Sequence, residues 1–150
     1  MKTICIVPCG KRKIWDDIPN SGPTKARYVY TGSFAKGCRN YAERFYPSSW
    51  CILSAKYGFL FPDDIVPDSY NVTFKRKKTN PISIKELSEQ VEKKGLGKYE
   101  KIVVLGGKEY RQIVRQIFSD KEVHSPLDGS RNMGDMLSKL KYAVNRGIPL

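Results

Sequence analysis

Lysines, hydroxyls and carboxylates gather at a few short turns, and their types suggest chemistry on an anionic, nucleotide-like ligand. Cys9-Gly10-Lys11-Arg12-Lys13 combines a thiol, a glycine that lets the backbone approach a ligand, and three cations suited to phosphate. Ser54-Ala55-Lys56-Tyr57-Gly58 sets a hydroxyl, an amine and an aromatic ring side by side, and Asp64, Asp68 and Tyr70 follow closely. Gly106-Gly107-Lys108-Glu109-Tyr110-Arg111 again joins glycine to cations, and Tyr30-Thr31-Gly32-Ser33 precedes a helical pattern whose free N–H groups favour an anion.

Cleaving an N-glycosidic bond passes through an oxocarbenium-like state. It needs a carboxylate to stabilise the cation or activate water, an acid near the base, and an aromatic platform for stacking. Asp64 or Asp68 could supply the carboxylate, and Tyr57 or Tyr70 the platform. Lys56 could hold phosphate, protonate a leaving base, or attack the sugar if burial lowers its pKa; phosphate or base contact is the favoured role. The same residues equally suit a non-catalytic nucleotide or nucleic-acid binder. A carboxylate sharing the cleft of Lys56 discriminates the two, because a polyanion binder has no use for one there.

Three uninterrupted apolar runs must carry these turns: Thr3-Ile4-Cys5-Ile6-Val7, Trp50-Cys51-Ile52-Leu53 and Lys101-Ile102-Val103-Val104-Leu105. Each reads as a strand buried on both faces, and Lys121 to Ser125 reads as a fourth, weaker one. Between them lie helical patterns. One is capped by Ser33 and carries Phe34, Cys38, Tyr41, Ala42 and Phe45, and one opens on the capping box Ser83/Glu86 and ends at Gly95. A third runs from Tyr110 to Ile117, and a last one places Met133, Met136, Leu137, Leu140 and Val144 at core spacing. Ile14 to Tyr30 has no period and reads as a long loop. The alternation predicts a single three-layer α/β domain over residues 1–150, with a mainly parallel, Rossmann-like sheet covered by helices on both faces. Ligands bind beyond the carboxyl ends of such strands, where the turns above converge.

The chain carries 27 Lys and Arg against 15 Asp and Glu, a formal +12 over 150 residues, which favours polyanionic partners, nucleic acid or nucleotide. Lys75-Arg76-Lys77-Lys78 is predicted to be exposed and to contact a phosphate backbone. No apolar run approaches a membrane span and no signal-peptide core is present, so a cytoplasmic protein without a membrane partner is expected. Cys5, Cys9, Cys38 and Cys51 form no CxxC pair and His124 is the single histidine, which argues against a zinc site. The spaced glycines of a Walker A or dinucleotide motif are missing, so no cofactor is expected. Cys5, Cys38 and Cys51 read as small core residues and Cys9 stands apart. Composition leaves the oligomeric state open.

The set Cys9 to Lys13, Tyr30 to Phe34, Leu53-Ser54-Ala55-Lys56-Tyr57-Gly58-Phe59-Leu60, Pro62, Ile65, Tyr70, Leu105 to Arg111, and Pro126-Leu127 with Gly134 resembles a family of small bacterial and phage domains. That family is marked by C-x-K-x-K, S-A-K-Y/H-G-L-L and a closing P-L-x-G element. More distantly, Leu53 to Ile65 with Tyr70 looks like the L-S-x-x-Y-G-x-L-x-P-x-D stretch of the YaaA family, DNA-binding proteins of the peroxide response, which lacks a lysine where Lys56 stands. The resemblance implies a shared α/β core and a link to nucleic-acid bases or nucleotides, in a phage or stress-response setting.

Overall fold

The computed structural model describes residues 2–150. Its centre is β1 (Thr3–Pro8), flanked in parallel by β3 (Trp50–Ser54) and β6 (Lys101–Val104), with Cys5 beside Trp50 and Val103. β7 (Glu122–His124) extends the sheet in parallel beyond β6, and β4 (Gly58–Leu60) closes the other edge antiparallel to β3. The resulting order is β4-β3-β1-β6-β7.

Side chains alternate across each strand, so each apolar run feeds two cores. On one face Cys5, Val7, Ile52 and Leu105 pack under α3 (Ser33–Phe45) and α6 (Met133–Arg146), through Cys38, Tyr41, Leu140 and Ala143. On the other, Ile4, Ile6, Leu53 and Val104 pack under α4 (Ile84–Lys93) and α5 (Lys108–Ile117), through Leu87, Val114 and the following Phe118. This is the expected three-layer α/β arrangement. α3 and α6 lie side by side, and a Cβ at Gly37 would overlap Leu137.

The helix after β1 covers one face and the helix after β6 covers the other. The chain therefore leaves β1 and β6 in opposite directions, and their carboxyl ends frame the crevice that open α/β sheets use for ligands.

Several local expectations are corrected. The turn after β3 does not open straight into a loop; the chain reverses at Ala55–Tyr57 and returns as β4, with Gly58 at φ +77 accommodating the turn. The Ile14 to Tyr30 loop contains α1 (Ile14–Asp17), β2 (Thr24–Lys25) and α2 (Ala26–Val29), pieces too short to show a period. β2 pairs antiparallel with β5 (Ile65–Val66), joining this segment to the loop after β4. Gly32, not Ser33, occupies the N-cap of α3, since Ser33 is already helical. Met133 is 56% exposed in the first turn of α6 and is no core residue. Ser83 caps α4, its Oγ accepting from Glu86 N at 3.1 Å, but the box is half made: the Glu86 carboxylate accepts from the Ser83 hydroxyl at 3.0 Å and not from the Ser83 N–H, and Gly95 follows the end of α4 at φ +69. No helix among the described residues is long and apolar enough to cross a membrane.

Candidate functional site

β1 delivers Cys9 to the crevice. Its N–H donates to Leu53 O at 3.3 Å, and its Sγ lies 3.1 Å from the hydroxyl of Tyr110 in the first turn of α5. Tyr110 also donates to Cys9 O at 3.3 Å, so one tyrosine ties together the two strand ends of the crevice. Gly106 makes this possible. It sits at φ +128, and a Cβ there would press on Pro8 and Tyr110 at 3.3 and 3.2 Å, so close approach and backbone conformation both require glycine. Gly107, the N-cap of α5, faces open space apart from the Glu109 carboxylate. Burial raises the Cys9 thiol pKa, and the Tyr110 hydroxyl, an Ala55 backbone bond and Lys13 partly offset it.

Lys13 is the unusual cation of the first turn. It pairs with Tyr30 in an isolated antiparallel bridge, and its N–H donates to Asp16 Oδ2 at 2.8 Å. That bridge turns the side chain inward, leaving Lys13 4% exposed while Lys11 and Arg12 stay at the surface. Its ammonium donates to Lys11 O at 3.1 Å and lies 4.5 Å from the centroid of the Tyr70 ring. No salt bridge reaches it among the described residues. A desolvated cation–π contact contributes about 2 kcal/mol, whereas taking an ammonium out of water costs several kcal/mol. Accordingly burial pulls the Lys13 pKa below 10.5, with Cys9 and then Asp16 opposing the shift.

Beneath Lys13 lies a chain of hydroxyls. Ser54 Oγ, fully buried, accepts from the backbone N–H groups of Lys56 at 3.2 Å and Tyr57 at 3.1 Å, and it contacts Tyr70 Oη at 2.7 Å. Tyr70 in turn is hydrogen-bonded to Tyr30. Burial raises both phenol pKa values. Tyr57 stands edge-on to Tyr70, with centroids 5.4 Å apart at 87°.

Lys56 is exposed, its ammonium 5.2 Å from the Tyr57 centroid and 5.7 Å from that of Tyr70. The first two turns therefore meet at Tyr70, bringing Lys13 and Lys56 to one ring. Asp64 Oδ2 accepts from Phe61 N at 2.8 Å, closing its own turn, and Asp68 is exposed with no bonded partner among the described residues. Neither carboxylate forms a hydrogen bond or salt bridge with Tyr70, Lys13 or Lys56. Gly58 serves the fold: Gln90 donates to Tyr57 O at 2.9 Å and accepts from Phe59 N at 2.8 Å, across the space a Cβ would fill. Arg111 donates to Gly106 O and pairs with Asp128 at 3.8 Å, fixing the third turn to the 125–130 loop. Ser33 is exposed and lines a groove of about 450 Å³ between α3 and α6; none of the other predicted site residues borders that groove. Lys75, Arg76, Lys77 and Lys78 are all exposed, as expected.

Sequence reasoning missed Phe74, which meets Tyr110 edge-on at 5.6 Å and ties its segment to the start of α5. An aromatic residue next to a run of cations was the available signal. It also missed the Gln90 clamp, for which the local sequence carries no sign.

The family of unknown function DUF6884 matches residues 4–142, and the chain belongs to that family. It is 41% identical over 145 residues to the Bacillus subtilis (strain 168) uncharacterized protein YfjM, covering 96% of each chain. No solved structure matches it.

Proposed function

We propose that this DUF6884 chain binds the anionic group of a nucleotide, free or at a nucleic-acid end, at the cluster of Cys9, Lys13, Ser54, Tyr57 and Tyr70. The observation that carries the reading is the Lys13 ammonium, 4% exposed, with a tyrosine face and a carbonyl for company and no carboxylate bonded to it. A cation left short of charge in this way gains most from an incoming anion. The position beyond the carboxyl ends of β1 and β3, the Tyr57–Tyr70 aromatic pair, and the net +12 point the same way. So does the resemblance of Leu53 to Ile65 and Tyr70 to the DNA-binding YaaA family.

The catalytic form of this reading, hydrolysis at an N-glycosidic bond, stands second. It needs Asp64 or Asp68 at the ligand, and one Asp64 oxygen already serves the Phe61 turn. Equilibrium titration of the parent chain with nucleoside 5′-monophosphates and with the matching nucleosides tests binding: tighter binding of the phosphorylated form is expected, and equal affinity removes the anion site. Release of free base from the same nucleotides, lost in Asp64→Asn or Asp68→Asn, would put the catalytic form first.

A further inference from the structure

The hydroxyl chain under Lys13 has one proton more than its own acceptors can take. Ser54 Oγ has two lone pairs, and the N–H groups of Lys56 and Tyr57 occupy both. Its O–H is therefore donated to Tyr70 Oη. The contact between Tyr70 and Tyr30 consumes one of the two phenolic protons, whichever residue donates. The other has only Ser54 Oγ beside it, whose lone pairs are already taken. Lys13 adds to the surplus, since one of its three ammonium hydrogens goes to Lys11 O and the remaining two have no recorded partner. The cluster thus gathers donors that are almost wholly enclosed, with Ser54 at 0%, Lys13 at 4% and Tyr30 at 5% exposure, and no carboxylate accepts from their side chains. Two ammonium charges, Lys13 and Lys56, flank the same Tyr70 ring.

A group that suits this arrangement carries acceptors only, has about two negative charges and can enter from one side. A phosphate monoester meets all three conditions, with three terminal oxygens and a charge of about −1.5 to −2 at neutral pH. An internal phosphodiester also carries acceptors only but fails the other two conditions: it has one charge, spread over two non-bridging oxygens, and chain on both sides. We propose that this cluster recognises a terminal phosphate, through Lys13, Lys56 and the free proton of the Tyr30–Tyr70 pair, in preference to the phosphodiester backbone. This rests on the nucleotide reading above and narrows it to free nucleotides and 5′-phosphorylated ends.

The test uses the full chain and one single-stranded oligonucleotide prepared with a 5′-phosphate or a 5′-hydroxyl, alongside inorganic phosphate as competitor. The 5′-phosphorylated strand is expected to bind at least tenfold more tightly, and inorganic phosphate should erase the advantage. Tyr70→Phe and Lys13→Met should each reduce it severalfold, while changing Lys75, Arg76, Lys77 and Lys78 to Ser should lower both affinities and leave the ratio intact. Circular dichroism confirms that each variant is folded, and Lys56→Met, which removes the second ammonium at the Tyr70 ring, should reduce the advantage likewise if Tyr70→Phe unfolds. Equal affinity for the two strands, with both weakened alike by Lys13→Met, overturns the terminal-phosphate preference and keeps the anion site. No binding of either strand or of any nucleoside monophosphate overturns both.

Discussion

The Lys13 ammonium lies 4.5 Å from the centroid of the Tyr70 ring, joining the turn after β1 to the loop after β5 across 57 positions of sequence. Lys56 approaches the same ring from the β3–β4 hairpin. Tyr70 is thus the point where three separate segments converge, and the consequences can be measured.

Lys13→Met should keep the fold and lose the ligand. The replacement removes a buried charge and retains an apolar stem, so the variant is expected to be at least as stable as the parent at pH 7. Because the folded pKa of Lys13 is depressed, the unfolded chain holds a proton that the folded chain lacks above that pKa, and parental stability from this group rises with pH until 10.5. The stability difference between variant and parent should therefore shrink as the pH approaches 10.5, read from urea midpoints across the range. Affinity for a nucleoside monophosphate should fall tenfold to a hundredfold, equivalent to about 1.5–3 kcal/mol for a charged hydrogen bond. A variant that melts early at pH 7 would make Lys13 a structural residue.

Two glycines of the predicted site should separate cleanly. Gly58→Ala places a side chain at φ +77 and displaces the Gln90 clamp from Tyr57 and Phe59, so a loss of about 1–3 kcal/mol is expected. Gly107→Ala meets open space at an ordinary φ and should change stability by less than about 0.5 kcal/mol. Chemical denaturation of both variants decides this, and comparable losses would contradict the packing described.

Thiol titration should distinguish Cys9 from the rest. Cys5, Cys38 and Cys51 are fully buried, and burial raises their pKa values, that of Cys51 to about 12. In native protein at pH 8, one thiol should react with a disulfide reagent, slowly, since Cys9 too is raised above 9.0. Denatured protein should release four. Cys9→Ser should abolish the native reaction; rapid modification of two or more thiols would place another cysteine at the surface.

The basic run Lys75 to Lys78 predicts salt dependence. Each phosphate it neutralises should steepen log affinity against log salt by about 0.7–0.9. A variant with Ser at all four positions should give a shallower slope on single-stranded DNA, and equal slopes would take the segment off the binding surface.

The sheet was legible because Ile4 to Val7, Cys51 to Leu53 and Ile102 to Leu105 are unbroken apolar runs, the pattern of strands buried on both faces. The Ser83 cap was equally plain, since Ser83 and Glu86 lie three residues apart. The β4 hairpin and the one-turn helices α1 and α2 were not, because three or four residues carry no period. Within the site, Lys11 and Lys13 are equivalent as sequence; a bridge to Tyr30 buries one and leaves the other in water. Distant pairings of this kind, Cys9 with Tyr110 or Gln90 with Tyr57, leave no local trace in composition or spacing.

The most direct test of Lys13 as the anion anchor is a pH titration of the lysine ε-carbons by NMR, with and without a saturating nucleoside 5′-monophosphate. Without ligand, the Lys13 resonance, assigned by its loss in Lys13→Met, should titrate below 10.5. With ligand it should shift at neutral pH and its pKa should rise, because the bound anion favours the charged form. A nucleotide that binds while leaving the Lys13 resonance and its pKa unchanged would contradict the account.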